Sequence, residues 1–237
     1  MKKEKIKVKF EDDEEEVDDL ATPNITTFHL HSRTISAFLF PQASPNTLIS
    51  ASYDSSIRSL DLGAAKAIEV YGPADPNGDE PISGLEVPSD DPHTIYFSTL
   101  QGSFGRHDLR APATNAGGTI VIELSEKKIG GFTLSPTQPH LMATASLDRC
   151  LKIWDLRKMS DKHRPSLLGE HESRLSVSHA CWNNVGQVAT ASYDDTVKIY
   201  DFSDCGKWTA KTRLTEEAMR PATVVKHNNQ TGRWVTM

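Results

Sequence analysis

Three polar residues in the C-terminal part of this 237-residue sequence have the types that form a nucleophilic catalytic triad: His171, Ser192 and Asp194. A serine hydroxyl beside an imidazole, which a carboxylate orients in turn, is the arrangement that activates serine for acyl transfer. The same residue types also form structural hydrogen-bond networks in folded proteins. Their spacing therefore has to be compared with the rest of the chain before a catalytic role is assigned.

The surrounding sequence recurs with a period of about 47 residues. The aligned stretches end on aspartates that are 47, 47 and 46 residues apart, namely Asp61, Asp108, Asp155 and Asp201. The residues equivalent to Asp194 in earlier repeats are Asp54 and Asp148, and those equivalent to Ser192 are Ser52 and Ser146. Active sites do not recur in every repeat of a protein. The repetition therefore favours a structural role for these residues and predicts that the chain is not an enzyme.

Each period contains four short apolar or alternating segments, separated by turns rich in Pro, Asn, Asp and Gly. No segment shows a sustained helical period. Four antiparallel strands in a repeat of about 45 residues are typical of a β-propeller blade, so the sequence predicts an all-β fold. The predicted blades are residues 25–72, 73–125, 126–170 and 171–214, followed at 215–237 by an inter-blade loop and the start of a further blade.

The third repeat ends in Trp154-Asp155-Leu156-Arg157, which resembles the end of a WD repeat. Propellers of this family usually have seven blades, so the resemblance implies four complete blades and the start of a fifth in a partial seven-bladed propeller. In WD repeats a turn Asp, a His, a strand Ser and an aromatic side chain share a buried hydrogen-bond network. The resemblance gives the triad-like residues this structural role, with Tyr200 as their aromatic partner and His31 as the histidine of the first repeat.

The arginine that follows this WD pair is similar to part of the box by which WD-repeat substrate receptors bind the adaptor of cullin-4 ubiquitin ligases. His107-Asp108-Leu109-Arg110 is a weaker copy in the preceding repeat. The resemblance implies a partner-docking role for five residues, which are Trp154, Asp155, Arg157, Asp108 and Arg110. The alternative is that Arg157 caps the corner of its blade by pairing with a neighbouring carboxylate.

The formal net charge of −6 is unevenly distributed along the chain. Residues 11–19 hold eight of the 32 acidic side chains, whereas the chain from Cys205 onward holds six Lys and Arg against two Glu. Residues 1–24 are therefore predicted to be an acidic, disordered insertion between blades. This block is interpreted either as a solvated linker that repels DNA or as a site for a basic partner such as a histone.

Polar and basic residues are concentrated at 226–233. Imidazole and amide side chains can hydrogen-bond to base edges, and cations can hold phosphates. The candidate DNA-binding residues are Lys226, His227, Asn228, Asn229, Gln230 and Arg233. A polar segment that contains Asn and Gly is otherwise an ordinary turn.

A resemblance gives this segment a more specific interpretation. The stretches SRTISAFLF, DPHTIYFSTLQGSFGRHDLR and HNNQTGRW are similar to the fungal DNA damage-binding WD-repeat proteins, and the similarity covers nearly all of residues 25–237. These proteins are relatives of the small subunit of the ultraviolet-damaged DNA-binding complex, in which a hairpin at this point enters the minor groove and displaces damaged bases. The resemblance implies that residues 227–231 form this hairpin. The repair subunit has an aromatic wedge there, whereas this segment has no aromatic residue before Trp234.

Two classes of function follow from these observations. The first is a nuclear DNA-binding propeller that prefers damaged, ultraviolet-irradiated DNA, acts in DNA metabolism or repair, and binds double-stranded and single-stranded DNA. The second is a protein-only scaffold, such as a cullin-4 ligase receptor or a chromatin adaptor. A basic face around 226–233 would favour the first class and an acidic face the second. Neither class requires a cofactor or a metal ion, and no apolar run is long enough for a membrane helix.

Overall fold

The computed structural model describes residues 26–73, 78–113 and 118–227. This part of the chain contains four antiparallel sheets of four strands each, in which the strand order follows the chain order. The strands are β1 (Ile35–Leu39), β2 (Thr47–Ser52), β3 (Ile57–Asp61) and β4 (Lys66–Tyr71); β5 (Ile82–Glu86), β6 (Thr94–Thr99), β7 (Ser103–Asp108) and β8 (Thr119–Glu123); β9 (Ile129–Leu134), β10 (Leu141–Ser146), β11 (Cys150–Asp155) and β12 (Ser166–Glu172); and β13 (Val177–Trp182), β14 (Gln187–Ser192), β15 (Thr196–Asp201) and β16 (Thr223–Lys226).

Each sheet is one blade, and the predicted all-β fold of repeated four-stranded blades in a partial β-propeller is confirmed. The first strands of the blades contact one another in chain order, β1 with β5, β5 with β9 and β9 with β13. Hydrogen bonds tie these inner strands together, since the Ser36 hydroxyl donates to the Ile82 carbonyl at 2.6 Å and the Ser83 hydroxyl donates to the Ile129 carbonyl at 3.3 Å. The blades are therefore held side by side through their inner strands.

The hydrophobic core lies between neighbouring blades rather than within one. Three clusters of buried residues fill the first–second, second–third and third–fourth interfaces. Aromatic rings provide much of this packing, as in the edge-to-face pair of Phe104 and Phe132, whose ring centroids are 5.2 Å apart. Because a strand directs alternate side chains to opposite faces, each sheet contributes to the clusters on both of its sides.

The turn between the second and third strands has the same conformation in all four blades. One residue in each turn has a positive φ: Ser55 at 65°, Gly102 at 91°, Arg149 at 75° and Asp195 at 60°. This left-handed conformation is uncommon for residues other than Gly, Asn and Asp, so its recurrence shows that the turns are structurally equivalent. These four turns, with the segments that lead into each first strand, form what we call the turn face. The opposite ends of the third strands carry Asp61, Asp108, Asp155 and Asp201, and we call that side the aspartate face.

The fourth blade differs from the boundaries that the sequence predicted. Strand β16, which lies within the segment predicted as an inter-blade loop, pairs with β15 and completes the fourth sheet. Residues 202–222 therefore form an insertion inside this blade, and the boundary predicted at residue 215 does not separate two blades. The insertion is anchored by buried Trp208 and Met219, which join the core of the third and fourth blades. Residues 1–24 and the predicted start of a further blade lie outside the described residues.

No helix in the described ranges is long and apolar enough to span a membrane.

Candidate functional site

The three triad-like residues do not form a nucleophilic site. The Ser192 hydroxyl donates to the backbone carbonyls of Leu175 at 3.2 Å and Ser176 at 3.1 Å. The His171 ring lies edge-to-face on Tyr200, with 5.4 Å between ring centroids. The carboxylate of Asp194 accepts instead from the Lys198 ammonium at 2.8 Å. The contacts of these three residues are therefore structural, as the repeat predicted. They do not form the single hydrogen-bond network that the resemblance implied, because Asp194 is held by Lys198.

In the fourth blade a lysine occupies the role that was predicted for histidine. The Lys198 ammonium bridges Asp194 and the Ser173 hydroxyl, which it reaches at 2.9 Å. Burial would raise the pKa of Asp194, but hydrogen bonds from Lys198 and Thr196 outweigh this effect and lower the pKa to about 2. Burial, together with the nearby charge of Lys198, lowers the pKa of His171. A cation buried beside a carboxylate stabilises the ionised form, which a neutral imidazole does less well.

The first blade has the histidine network that the sequence predicted, with one change. His31 Nδ1 is 3.0 Å from Asp54 Oδ2, and Nε2 is 2.8 Å from the Ser50 hydroxyl. Burial would raise the pKa of Asp54, but hydrogen bonds from Ser56, the Ser32 amide and His31 lower it to about 2. Ser52, which the alignment placed in this network, instead accepts from the Asp54 amide at 3.1 Å and donates to the Arg33 carbonyl. Ser146 and Ser192 make the equivalent turn contacts in their own blades.

In the third blade a serine takes the histidine position. The Ser125 hydroxyl is 2.9 Å from the Ser146 hydroxyl and 3.2 Å from Asp148, whose carboxylate also accepts from Lys152 at 2.6 Å. The Trp154 indole donates to Thr144 at 2.9 Å, and its ring is buried in the core between the second and third blades. Trp154 was predicted to take part in docking, but its contacts are those of a core residue.

The closing aspartates perform the same structural role in all four blades. Each carboxylate accepts from the backbone amide two residues further along the chain, at 2.8 to 3.0 Å. The four amides are those of Gly63, Arg110, Arg157 and Ser203. A carboxylate that caps a turn in this way explains why aspartate recurs at this position.

Two of these aspartates also bind the side chain of the arginine that follows. Arg110 donates to Asp108 from Nε at 2.9 Å and from its terminal nitrogen at 2.7 Å, and Arg157 donates from Nε to Asp155 at 3.0 Å. Burial opposes ionisation of Asp155, but the guanidinium of Arg157 outweighs it and lowers the pKa of this carboxyl. Arg157 also donates to the Trp208 carbonyl of the insertion at 3.3 Å. Both arginines therefore cap blade corners, as the alternative interpretation held for Arg157.

Capping leaves part of each guanidinium accessible to a partner. The side chain of Arg110 is 67% exposed and that of Arg157 is 43% exposed, whereas the Asp155 side chain is fully buried. The two forks lie on the same aspartate face, in adjacent blades. Asp155 can therefore act only by positioning Arg157.

The predicted DNA-binding residues begin at the end of β16. Lys226 pairs with Thr196 in the last strand ladder, and the His227 amide donates to the Asp195 carbonyl at 2.8 Å. Both side chains are exposed on the turn face, beside the turn of the fourth blade. The remaining candidates, Asn228, Asn229, Gln230 and Arg233, lie outside the described residues.

The sequence reasoning missed further cations on the same face. Lys127 and Arg174, which precede the first strands of the third and fourth blades, are exposed, and so is Arg149 in the turn of the third blade. An open cleft of about 710 Å³ lies among these segments. Its lining includes Lys127, Leu147, Arg149, Lys152, Arg164 and Leu175. The repeat period contained the signal, because it predicts that residues of equivalent turns share a face.

Comparisons with known proteins agree with this architecture. The family model described as "WD domain, G-beta repeat" matches residues 119–155 and 164–201, so both matches end at a closing aspartate. The chain is 61% identical to DNA damage-binding protein CMR1 of Phaeosphaeria nodorum and 55% identical to that of Chaetomium globosum, over 97% of this chain. It is 52% identical over 96% of this chain to the protein of the same name from Coccidioides immitis. The chain spans 44% of the length of each of these three relatives.

Proposed function

The chain belongs to the WD-repeat proteins and is closely related to the fungal DNA damage-binding members, and on this premise we propose that it binds DNA, with a preference for damaged duplex such as ultraviolet-irradiated DNA. The observation that carries the proposal is the identity of 51 to 61% to relatives with that name. The role is one of binding rather than catalysis, and it belongs to nuclear DNA metabolism or repair.

The geometry of the turn face supports this function. Lys226 and His227 are exposed there, and backbone bonds to the turn at residues 195–196 fix their position. The cations of the neighbouring segments, Lys127, Arg149 and Arg174, are exposed on the same face. Cations held on a rigid scaffold bind the phosphate backbone without reading sequence, and base contacts then supply preference.

The experiment is a measurement of affinity for irradiated and intact duplex of one sequence over a series of salt concentrations. Lys226→Ala is expected to weaken both complexes alike and to lower the salt slope by about 0.9, because one phosphate contact is lost. The matched control is Lys66→Ala, which removes an exposed lysine at the aspartate face, where its backbone lies opposite Asp61 in the strand ladder. The control should bind as the wild type does. A wild-type chain that binds neither duplex would reject the proposal.

The preference for damage should depend on the uncharged side chains that follow. Asn229→Ala with Gln230→Ala removes two amides, which can bond to displaced bases but carry no charge. We expect the ratio of affinities for irradiated and intact duplex to fall about tenfold, since such contacts are worth about 1 to 3 kcal/mol. An unchanged ratio would mean that these residues do not recognise the lesion.

A second candidate function is docking to a protein partner through the aspartate face. The observation that favours it is the pair of exposed arginine forks, Asp108–Arg110 and Asp155–Arg157, with the same geometry in adjacent blades. We propose the adaptor of a cullin-4 ubiquitin ligase as this partner. Histones are the partner proposed for the acidic residues 1–24, which lie outside the described residues. These functions are compatible with DNA binding because the two faces lie at opposite ends of the strands.

A further inference from the structure

An aromatic ring is exposed on the turn face, next to the proposed DNA-binding residues. Tyr193 is 48% exposed although tyrosine has a large apolar ring. Its backbone is held firmly, because its amide donates to the Ser176 carbonyl at 2.9 Å and the turn continues through Asp195. His227 donates its amide to the carbonyl of the same Asp195 at 2.8 Å. The ring therefore lies on a rigid turn, two residues from the anchor point of the proposed interface.

Two exposed leucines lie on the segments next to Tyr193. The Ser176 hydroxyl donates to the Leu147 carbonyl at 3.0 Å, which joins the turn of the third blade to the segment that precedes β13. Leu147 is 38% exposed and Leu175 is 39% exposed, and both line the cleft of about 710 Å³. The two leucines and Tyr193, which we call the apolar patch, thus come from three adjacent segments of the turn face.

Charged groups surround the apolar patch, and several of them are already paired. Arg149 forms an ion pair with Glu172, and Lys152 forms one with Asp148. Within the described ranges, the side chains of Lys127 and Arg174 form neither an ion pair nor a hydrogen bond. Among the residues that the structure describes, Glu123 and Glu126 line the cleft without forming an ion pair. Lys127 and Arg174 are therefore available cations on the same face as the exposed ring of Tyr193.

We propose that the apolar patch is a stacking site for an unpaired nucleobase, in which Tyr193 stacks on the base while Lys127 and Arg174 hold the flanking phosphates. The inference rests on the proposed function and specifies the ligand as single-stranded or locally unpaired DNA. A base inside a duplex has both faces covered, so a protein ring can stack on it only after it has left the helix. Aromatic rings in a cationic groove are the chemistry by which proteins bind unpaired bases with little sequence preference.

The test uses the full chain and three ligands: a thymidine oligonucleotide, an abasic oligonucleotide of the same length and an intact duplex. Tyr193→Ala is expected to weaken binding of the thymidine oligonucleotide by about fivefold or more, because one stacked base is lost. Binding of the abasic oligonucleotide and of the duplex should not change. Tyr193→Phe, which keeps the ring, should bind all three ligands as the wild type does.

The matched control is Tyr53→Ala, which changes the tyrosine at the equivalent turn position of the first blade. It should leave all three affinities unchanged. The inference is overturned if Tyr193→Ala binds the thymidine oligonucleotide as tightly as the wild type, or if Tyr193→Phe or Tyr53→Ala loses as much affinity as Tyr193→Ala. If the wild type binds the duplex while Tyr193→Ala has no effect, only the stacking site is rejected. If the wild type binds none of the ligands, the proposed function is rejected as well.

Discussion

Asp54 and Asp194 occupy equivalent turns, yet His31 holds one and Lys198 holds the other. The positions of both aspartates could be predicted from the repeat, because aspartate recurs at the same place in three of the four equivalent turns. The identity of the bonding partner could not be predicted. Lys198 lies on a strand and reaches the carboxylate from within the blade, whereas His31 precedes its blade in the chain. Several types of side chain can stabilise a buried carboxylate. The repeat period therefore predicts where the aspartate lies but not which residue binds it.

Glu86 illustrates a residue whose importance was not visible in the sequence. It ends β5, and its carboxylate accepts from the Leu134 amide of the next blade at 2.9 Å. Burial raises the pKa of Glu86 to about 7, although the hydrogen bond from Leu134 opposes this shift. No acidic residue occupies the equivalent position in the other inner strands, β1, β9 and β13. A search for repeated features therefore overlooks it.

The raised pKa of Glu86 predicts a pH dependence of stability. The unfolded chain ionises this carboxyl near its ordinary value of about 4.5, whereas the folded chain keeps it protonated up to about pH 7. The contribution of Glu86 to the free energy of unfolding is therefore fully present below about pH 4.5 and is lost as the pH rises to 7. The loss is at most about 3 kcal/mol. Glu86→Gln retains an acceptor for Leu134 and should remove this loss. Urea unfolding at pH 5, 6, 7 and 8 measures the effect.

The corresponding control is Glu217→Gln, which neutralises an exposed carboxylate in the insertion. It should keep the pH profile of the wild type. A Glu86→Gln chain whose unfolding free energy follows the wild-type profile from pH 5 to 7 would contradict this account.

At the scale of elements, the strands and tight turns followed from the sequence, but the end of the fourth blade did not. The pattern that identified fourth strands in other blades was interrupted by 202–222, so β16 was assigned to a loop. The insertion that precedes β16 packs on the third blade, where the Leu214 amide donates to the Leu168 carbonyl at 2.7 Å. A contact between elements so distant in the chain has no local sequence signal.

The inner strands approach one another so closely that Gly130 leaves no room for a side chain. A Cβ on Gly130 of β9 would lie 2.5 Å from the Ser178 carbonyl oxygen of β13. We expect Gly130→Ala to separate these two blades and to lower the free energy of unfolding by about 1 to 3 kcal/mol. Gly63→Ala is the control, because its Cβ would be 3.4 Å from the nearest atom. Equal urea midpoints for the two variants would show that the inner strands tolerate more separation than their geometry indicates.

For the whole molecule, the arrangement of the two faces determines how its proposed functions can combine. The strands separate the turn face, with Lys226 and His227, from the aspartate face, with Arg110 and Arg157. The period predicted that equivalent residues share a face, and this is why the two arginines could be paired from sequence. The exposed ring of Tyr193 was not singled out, because its neighbours on that face come from different blades.

This separation predicts that the two proposed activities can be removed one at a time. Replacement of Arg110 and Arg157 by Ala is expected to abolish co-purification with a cullin-4 adaptor, because the exposed guanidinium groups on the aspartate face are lost. Affinity for irradiated duplex should stay within about twofold of the wild type, since both arginines lie at the far ends of their strands. Lys226→Ala should weaken the binding of irradiated duplex and leave adaptor co-purification unchanged. Adaptor recovery equal to that of the wild type would exclude docking through this pair.

The partners that hold the turn aspartates also bear on how such a chain grows by gene duplication. His31, Ser125 and Ser173 each precede the first strand of the sheet whose turn they stabilise. A duplicated segment that copied one sheet alone, such as β9–β12, would leave Ser125 behind and create a turn with an incomplete set of bonds. A segment copied from an outer strand to the next closing aspartate keeps the partner and the aspartate together, and the family matches at 119–155 and 164–201 have this extent. The unit that the family model matches is thus offset by one strand from the folded sheet, so a duplication of that unit would bring with it the strand that completes the preceding sheet.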